Sequence, residues 1–296
     1  MESIVISQKK QLSMPFIKVT CFRIFFLIFL INGACLFGQN AGRYKNNKNL
    51  LLSHKFKFEA GVFRPLKSIK INLNSDLPND VINFGDSFGF GERQVTPNFK
   101  FTWKFSKKWL VTADYFNLKS VGGAELDEDI DWGIFTFREG TYVKAGFEMS
   151  IYRVFFGRTL FKAAKYEVGV GLGTHILDTH AFIEGEAYVN DFAAGFKKSG
   201  LDLVFPLPNV GFWGIYAPFP RWSLSGNIDW FGIKIGEYEG LLWDINPRVS
   251  FGITKNFGLD FTYKFVELSV KDKSTYWHGK VSTIFKGPSF GIHGSF

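Results

Sequence analysis

Apolar and polar residues alternate one by one over long stretches of this chain. In the segment 98–116, two alternating stretches are separated by a polar turn at 106–108. The apolar set is Phe99, Phe101, Trp103, Phe105, Trp109, Val111, Ala113 and Tyr115. Because successive side chains of a β-strand point to opposite faces, this alternation predicts a hairpin with one aromatic face and one charged face. A helix would place apolar residues every three or four positions, and these stretches do not.

The same alternation returns along the rest of the chain, in 54–63, 141–152, 165–176, 207–216, 221–230, 242–253, 257–265 and a last strand that reaches Phe296. Short turns at 106–108, 217–221 and 254–256 are interspersed with longer connections at 64–95, 122–140 and 181–203. This rhythm predicts an all-β, transmembrane, antiparallel up-and-down β-barrel of about 10 strands, within a range of 8 to 12. A further hairpin within 64–93 would give the higher number.

A soluble β-sandwich also alternates, with its apolar face inward. The strands here are about ten residues long, as a tilted strand needs to cross a bilayer, whereas sandwich strands are about half that length. Closing the sheet in lipid pairs every backbone group that lipid cannot solvate. The pattern therefore favours a barrel whose aromatic face meets membrane lipid.

This orientation assigns the charged residues to the lumen and the ring-bearing residues to the lipid. The predicted lumen-lining set is Lys57, Glu59, Lys100, Lys104, Asp114, Lys144, Glu148, Glu167, Asp229, Asp244, Arg248, Asp260 and Lys264. The predicted lipid-facing girdle is Trp103, Phe105, Trp109, Trp222 and Trp230. Phe290, Ile292 and Phe296, on one face of the last strand, are interpreted as a signal for the outer-membrane assembly machinery.

The sequence allows two interpretations of the lumen. Basic and acidic residues are nearly balanced in the predicted set, which favours an interior that pairs with itself, since a barrel of about ten strands has little room beyond its own side chains. The glycines Gly169, Gly171 and Gly173 share the inner face of one strand and favour a narrow polar conduit, because three missing side chains leave space. They also suit relief of crowding or sharp curvature of the sheet.

The front of the chain has the layout of a secretory signal. Lys18 and Arg23 precede an apolar run from Ile24 to Gly38, with small residues near its end. We predict a signal peptide at 1–38, with Met14 as a plausible true start, then a short periplasmic segment at 39–53 and the barrel at 54–296. An alternative is a lipoprotein signal that ends before Cys35. Cleavage after Gly38 removes both cysteines and leaves no disulfide.

Composition and charge narrow the class further. Aromatic residues make up 18% of the chain, which also has 31 glycines, a combination that favours strands and tight turns. The formal charge is +8, but the basic residues form no compact run, so no nucleic-acid partner is predicted. The expected location is the outer membrane of a Gram-negative cell.

Candidate chemistry is sparse. His175 and His180 have opposite parity on a strand, so they do not form a metal pair on one face, and no catalytic triad spacing is present. The acidic segment 125–131 suits a solvated loop better than a calcium loop, because it lacks the glycine-interrupted spacing of one. No cofactor and no metal are expected.

The second half resembles a family of uncharacterised Gram-negative outer-membrane β-barrel proteins with a porin-like fold. The stretches that carry the resemblance are 205–265 and "FKGPSFGIHGSF" at the end, with weaker matches in "VINFGDSFGF" and "YEVGVGLGTHILD". The resemblance implies an outer-membrane location and a barrel, and it carries over no activity and no site residue.

These observations predict a non-enzymatic outer-membrane barrel that serves as a structural or interaction protein or as a narrow conduit for small solutes. One alternative is an outer-membrane lipid hydrolase or protease, with His175 as the residue to test. Another is a barrel for uptake of hydrophobic compounds, with Pro247 marking a break in the wall. The solute and the oligomeric state are not determined by the sequence.

Overall fold

The computed structural model describes residues 50–72, 81–83, 95–132, 134–273 and 278–296. The predicted signal peptide, most of the predicted periplasmic segment and both cysteines lie outside the described residues. No helix in this described part is long and apolar enough to span a membrane.

The described chain is one short helix followed by strands, because the alternating pattern leaves no helical stretch. The helix is α1 (Leu50–Ser53). The strands are β1 (Phe56–Phe63), β2 (Leu66–Asn72), β3 (Val81–Asn83), β4 (Thr96–Trp103), β5 (Trp109–Glu125), β6 (Ile130–Trp132), β7 (Phe135–Phe137), β8 (Tyr142–Lys162), β9 (Tyr166–Val189), β10 (Phe192–Phe219), β11 (Trp222–Ile235), β12 (Tyr238–Ile245), β13 (Arg248–Gly252), β14 (Phe257–Lys273) and β15 (His278–Ser295).

These strands form an antiparallel up-and-down barrel with a ring of about ten wall strands, as predicted. The ring closes where β1 pairs with β15, through Lys57 opposite Ser295. Two wall strands are interrupted. β1 and β2 both pair with β15, and β12 and β13 both lie between β11 and β14. The small hairpin of β6 and β7 is not one of the wall strands and pairs with the wall at one residue.

The longest hairpin is formed by β9 (24 residues) and β10 (28 residues). Its turn is Asn190–Asp191, both with positive φ of 47° and 67°, which is the geometry of a two-residue type I′ turn. The long loop predicted at 181–203 is therefore wrong, because both strands continue through it. On the outer face of this part of the hairpin, aromatic and charged side chains are mixed. The sequence there therefore shows no clear alternation of apolar and polar residues.

The faces of the strands exchange character partway along the wall. In β8, Phe147, Met149 and Ile151 are buried inside the barrel, and the next inward residue is Arg153. On the outer face of the same strand, Ser150 is followed by the exposed Tyr152, Val154 and Phe156. The alternation therefore exchanges faces between Ile151 and Tyr152, in an unbroken strand.

The same exchange occurs between Ile176 and Leu177 in β9 and between Phe265 and Val266 in β14. It divides the barrel into two parts. We call the part with short turns, which includes 152–162, 166–176 and 257–265, the lower half. The remainder, which includes 142–151, 177–189 and 266–273, is the upper half. The interior is charged in the lower half and apolar in the upper half.

Lys144 and Glu148 are corrections to the predicted lumen-lining set, because both lie in the upper half and their side chains face outward. Lys144 is exposed, and Glu148 pairs with Lys119 on the outer wall at 3.1 Å. The hydrogen bond from Lys119 holds the pKa of Glu148 below its ordinary value. The prediction assigned the charged face of each alternating segment to the lumen, whereas in β8 above the exchange the charged face is the outer one.

The apolar core of the upper half includes the hairpin of β6 and β7. Ile130, Trp132 and Phe137 from this hairpin are buried with Phe147 and Phe285 from the wall. The segment predicted as a solvated acidic loop thus puts its apolar residues inside. Its acidic residues close the hairpin: Asp129 accepts from the Glu139 backbone N–H at 2.7 Å, and Asp131 accepts from Thr136 at 2.6 Å.

Candidate functional site

Arg153 is the centre of the charged interior. Its Nε donates to Asp229 at 2.6 Å and its Nη1 donates to Asp114 at 2.8 Å, while an Asp244 oxygen lies 4.0 Å from Nε. The guanidinium also stacks on Phe155, 4.7 Å from the ring centroid. A planar fork that satisfies two carboxylates from different strands fixes the relative positions of β5, β8 and β11.

A second cluster of charges joins β1 to β13 and β14. Glu59 contacts Lys57 at 2.9 Å and also pairs with Arg248, whose Nε donates to Thr262 at 2.9 Å. Lys57 lies 3.6 Å from Asp260. These contacts cross the seam where the ring closes, so they tie the first strand of the barrel to the last ones.

A third cluster lies nearest the short turns, around Glu167. Its carboxylate accepts from Lys104 at 2.6 Å, from Thr159 at 2.8 Å and from Lys162 at 3.1 Å. Glu167 is only 1% exposed, so this carboxylate has exchanged water for three direct donors. Such pairing is what allows a charge to remain in a dry interior.

His175 lies at the top of the charged interior, next to the apolar core. Its Nδ1 is 3.2 Å from Asn209 and its Nε2 is 3.1 Å from Asp244, and the residue is 1% exposed. A hydrolytic base must reach its substrate. In the described chain both ring nitrogens of His175 are held by neighbouring side chains, and the ring is enclosed.

His175, Asp229 and Asp244 could in principle hold a metal ion, because one ligand atom from each lies within 4.8 Å of the others. The guanidinium of Arg153 is already in this position, in contact with Asp229. A cation added there would meet the positive charge of Arg153 at close range. We therefore interpret the group as an ion-pair cluster with Arg153 as its cation.

Most of the predicted lumen-lining residues do face inward in the lower half: Lys57, Glu59, Lys100, Lys104, Asp114, Glu167, Asp229, Asp244, Arg248, Asp260 and Lys264. Sequence reasoning missed Arg153, Asn209, Asn227, Asn246 and His293. The predicted alternating segment stops at Tyr152 and so does not include Arg153, although the strand continues to Lys162. The first polar residue with inward parity after Ile151 was the signal that would have found it.

Aromatic rings lie over the glycine ladder. Register places Gly157, Gly171 and Gly211 side by side on β8, β9 and β10. The Phe155 ring covers this row: a Cβ atom at Gly157, Gly171 or Gly211 would lie 2.9 Å, 2.6 Å or 2.6 Å from it. The Trp213 indole similarly covers Gly169, where a Cβ would meet it at 2.7 Å. The glycines therefore allow two large rings to pack directly against the backbone of the sheet.

The predicted girdle residues lie on the outer face at both ends of the lower half. Trp103 contacts Phe105 at 5.5 Å between centroids, and Trp109 contacts Phe156 at 4.9 Å, near the short turns. Trp222 is at the same end and 47% exposed. Trp230 is at the other end of the lower half, 6.3 Å from Trp243.

Among the described residues, the lower half encloses a larger and a smaller cavity. The larger has a volume of about 120 Å³ and includes His54, Lys55 and Ser295 in its lining, at the end of the barrel with the short turns. The other has a volume of about 10 Å³, between Arg153 and the lowest residues of the apolar core, Phe116 and Val266. That volume is at or below what one water molecule requires.

No protein-family model and no curated protein matches this chain. Solved structures do. The outer membrane protease OmpT from Escherichia coli is 10% identical, with a TM-score of 0.51 over 81% of this chain and 96% of that chain. The toluene transporter TodX from Pseudomonas putida is 9% identical, with a TM-score of 0.34 over 86% and 95%. The attachment invasion locus protein Ail of Yersinia pestis is 8% identical, with a TM-score of 0.33 over 82% and 99%. At these identities the likeness to OmpT is one of fold.

Proposed function

We propose that this protein is a non-enzymatic outer-membrane β-barrel with a closed lumen, which acts through the part that stands above the bilayer. The observation that carries the proposal is that the lumen is filled at two levels. Ion pairs around Arg153 fill the lower half, and the apolar side chains around Phe147 and Trp132 fill the upper half.

The outer surface of the lower half supports a membrane location. Outward residues are apolar or small from Tyr166 to Ile176 in β9 and apolar from Phe257 to Phe265 in β14. These lengths agree with the roughly 9–11 residues that a tilted transmembrane strand requires. Aromatic side chains at both ends of the band suit the two membrane–water interfaces. The expected partners are membrane lipid and the assembly machinery that reads the last strand, where Phe290, Ile292 and Phe296 face outward.

The described interior supports closure. Between the larger cavity and the apolar core, the cavity beside Arg153, with a volume of about 10 Å³, is too small to hold a hydrated ion. Above it, Phe147 and Phe285 of the wall and Phe137 of the inserted hairpin are at most 2% exposed. A pore would need a polar path through this layer, and a buried apolar core excludes ions because they lose their hydration.

We therefore expect the protein to be silent in planar lipid bilayers. Full-length mature protein inserted at rising amounts should give no steady single-channel steps, while an open porin inserted in the same membrane gives them. Stable steps of one size whose number scales with added protein would overturn the closed-lumen proposal.

The alternatives suggested by the sequence gain no support from this geometry. A hydrolase that uses His175 would need access to a ring that Asn209 and Asp244 enclose. Uptake through a gap at Pro247 would need an open wall. There the Pro247 carbonyl accepts from the Tyr263 N–H and the Asn246 N–H donates to the Asn227 carbonyl, both at 3.0 Å, so the ladder continues on both sides.

The exchange of faces in β8 gives a test of how the barrel lies in the membrane. In a background with Cys21 and Cys35 replaced by Ser, we expect Ser150→Cys to be labelled on intact cells by a membrane-impermeant maleimide. Val154→Cys, four residues lower on the same face, should label only after solubilisation, because lipid covers it. Equal labelling of both positions would contradict the proposed upper limit of the lipid-facing band.

A further inference from the structure

We propose that the larger cavity of the lower half binds a small phosphate-class oxyanion, which enters from the end of the barrel with the short turns. This goes beyond the proposed function, which concerns the closed lumen and the upper half. The cavity has a volume of about 120 Å³, roughly four times the ~30 Å³ share of one water molecule in the liquid. It is large enough for a tetrahedral anion with some of its water.

The lining of this cavity is strongly positive. Its cationic residues are Lys55, Lys57, Lys100, Lys104, Arg153 and Arg248, and Glu59 is the one acidic residue among the described lining residues. Glu59 belongs to the lining together with its partners Lys57 and Arg248, whereas the carboxylates that pair with Lys100, Lys104 and Arg153 are outside it.

The two arginines still have donors for a ligand. Arg153 uses Nε and Nη1 for Asp229 and Asp114. Arg248 uses Nε for Thr262 and Nη1 for Glu59. Within the described chain, the Nη2 groups of both arginines take no part in these contacts. Two guanidinium groups at one cavity suit an oxyanion with several acceptor oxygens, because each planar fork can donate to a different oxygen.

Lys100 adds an ammonium group that is only loosely held, at 3.4 Å from Asp114. Asp114 has a closer partner in Arg153, at 2.8 Å, so Lys100 can turn to an anion without leaving that carboxylate unpaired. The hydroxyls of Thr102 and Thr112 also belong to the lining. A dianion meets more of this charge than a single carboxylate does, which favours phosphate.

The first test is a calorimetric titration of inorganic phosphate into the folded full-length protein in detergent at low ionic strength. We expect saturable binding that is absent with sodium chloride at equal ionic strength. In Ser225→Phe, which places a ring inside the cavity without removing a charge, affinity should fall at least about tenfold. Leu224→Phe, on the outer face of the same strand, is the matched control and should bind like the wild type.

The second test removes one charge. Lys100→Met should weaken phosphate binding by about tenfold or more, while Lys119→Met, on the outer wall, should leave it unchanged. Thermal unfolding by circular dichroism checks that each variant is folded. Absence of saturable binding up to about 10 mM phosphate, unchanged affinity in Ser225→Phe, or equal affinity for acetate would each overturn the proposal. A silent bilayer recording with no phosphate binding would remove this site and leave the closed lumen standing.

Discussion

Replacing Arg153 with Met is expected to destabilise the folded barrel by about 3–5 kcal/mol, the usual cost of removing one partner from a buried ion pair. Arg153 is 4% exposed and holds Asp229, which is 0% exposed, together with Asp114. Without the guanidinium, Asp229 keeps only the amide of Asn227, at 3.0 Å, among its described hydrogen bonds. The measurement is urea unfolding of protein refolded into lipid vesicles, followed by tryptophan fluorescence.

The matched control is Arg158→Met on the outer face of the same strand. This change removes the same charge and a cation–π contact with Trp109, whose centroid is 5.5 Å away, so we expect a loss of at most about 1 kcal/mol. Adding Asp229→Asn to Arg153→Met should recover part of the stability, because it removes the uncompensated carboxylate. Equal unfolding midpoints for the two arginine variants would contradict the central role of Arg153.

Substituting Gly171 with Ala is expected to cost about 1–3 kcal/mol or more, as overpacking of a filled interior does. A methyl group there would lie 2.6 Å from the Phe155 ring and 2.8 Å from the Gly157 Cα, and would also press on the Phe156 carbonyl. Backbone atoms on the neighbouring strand cannot move aside without disturbing the ladder. The same urea titration in vesicles measures this loss.

Gly200→Ala is the control for this substitution, since its added methyl would find its nearest neighbour, the Ala181 carbonyl, at 3.5 Å. That is ordinary contact, so stability should stay the same or rise slightly through the lower conformational entropy of alanine in the unfolded chain. If both alanine variants unfold at the same urea concentration, the glycine row is not needed for the packing of Phe155 against the sheet.

The strand count and the barrel class could be predicted because alternation with period two is a direct record of a two-faced wall. The alternation is clear wherever one face is apolar and the other is polar, as in 98–116 and 257–265. The exchange of faces could not be predicted from short segments, since Val143 to Ile151 and Tyr152 to Phe156 are each regular by themselves. Only the full length of β8 shows that inward parity passes from Ile151 to Arg153.

The charged interior was predictable in kind but not in its connections. Parity places Asp114, Asp229 and Asp244 on inner faces, yet Asp114 comes from β5, which is distant in sequence from β11 and β12. Which cation joins them depends on the register between strands, and register is set by packing and turns across the whole ring. The row of glycines that packs against Phe155 also depends on register, because Gly157, Gly171 and Gly211 are neighbours only in the folded sheet.

The position of the exchange along each strand determines how far the barrel extends beyond its lipid-facing part. β9 continues from Ile176 to Val189 beyond its lipid-facing part, which at about 3.3 Å per residue and a tilt near 45° is a rise of roughly 30 Å. This is close to the thickness of the hydrocarbon layer itself. In the proposed orientation, the turn at Asn190–Asp191, with the 79%-exposed Phe192 beside it, lies well beyond the headgroups and outside the lipid.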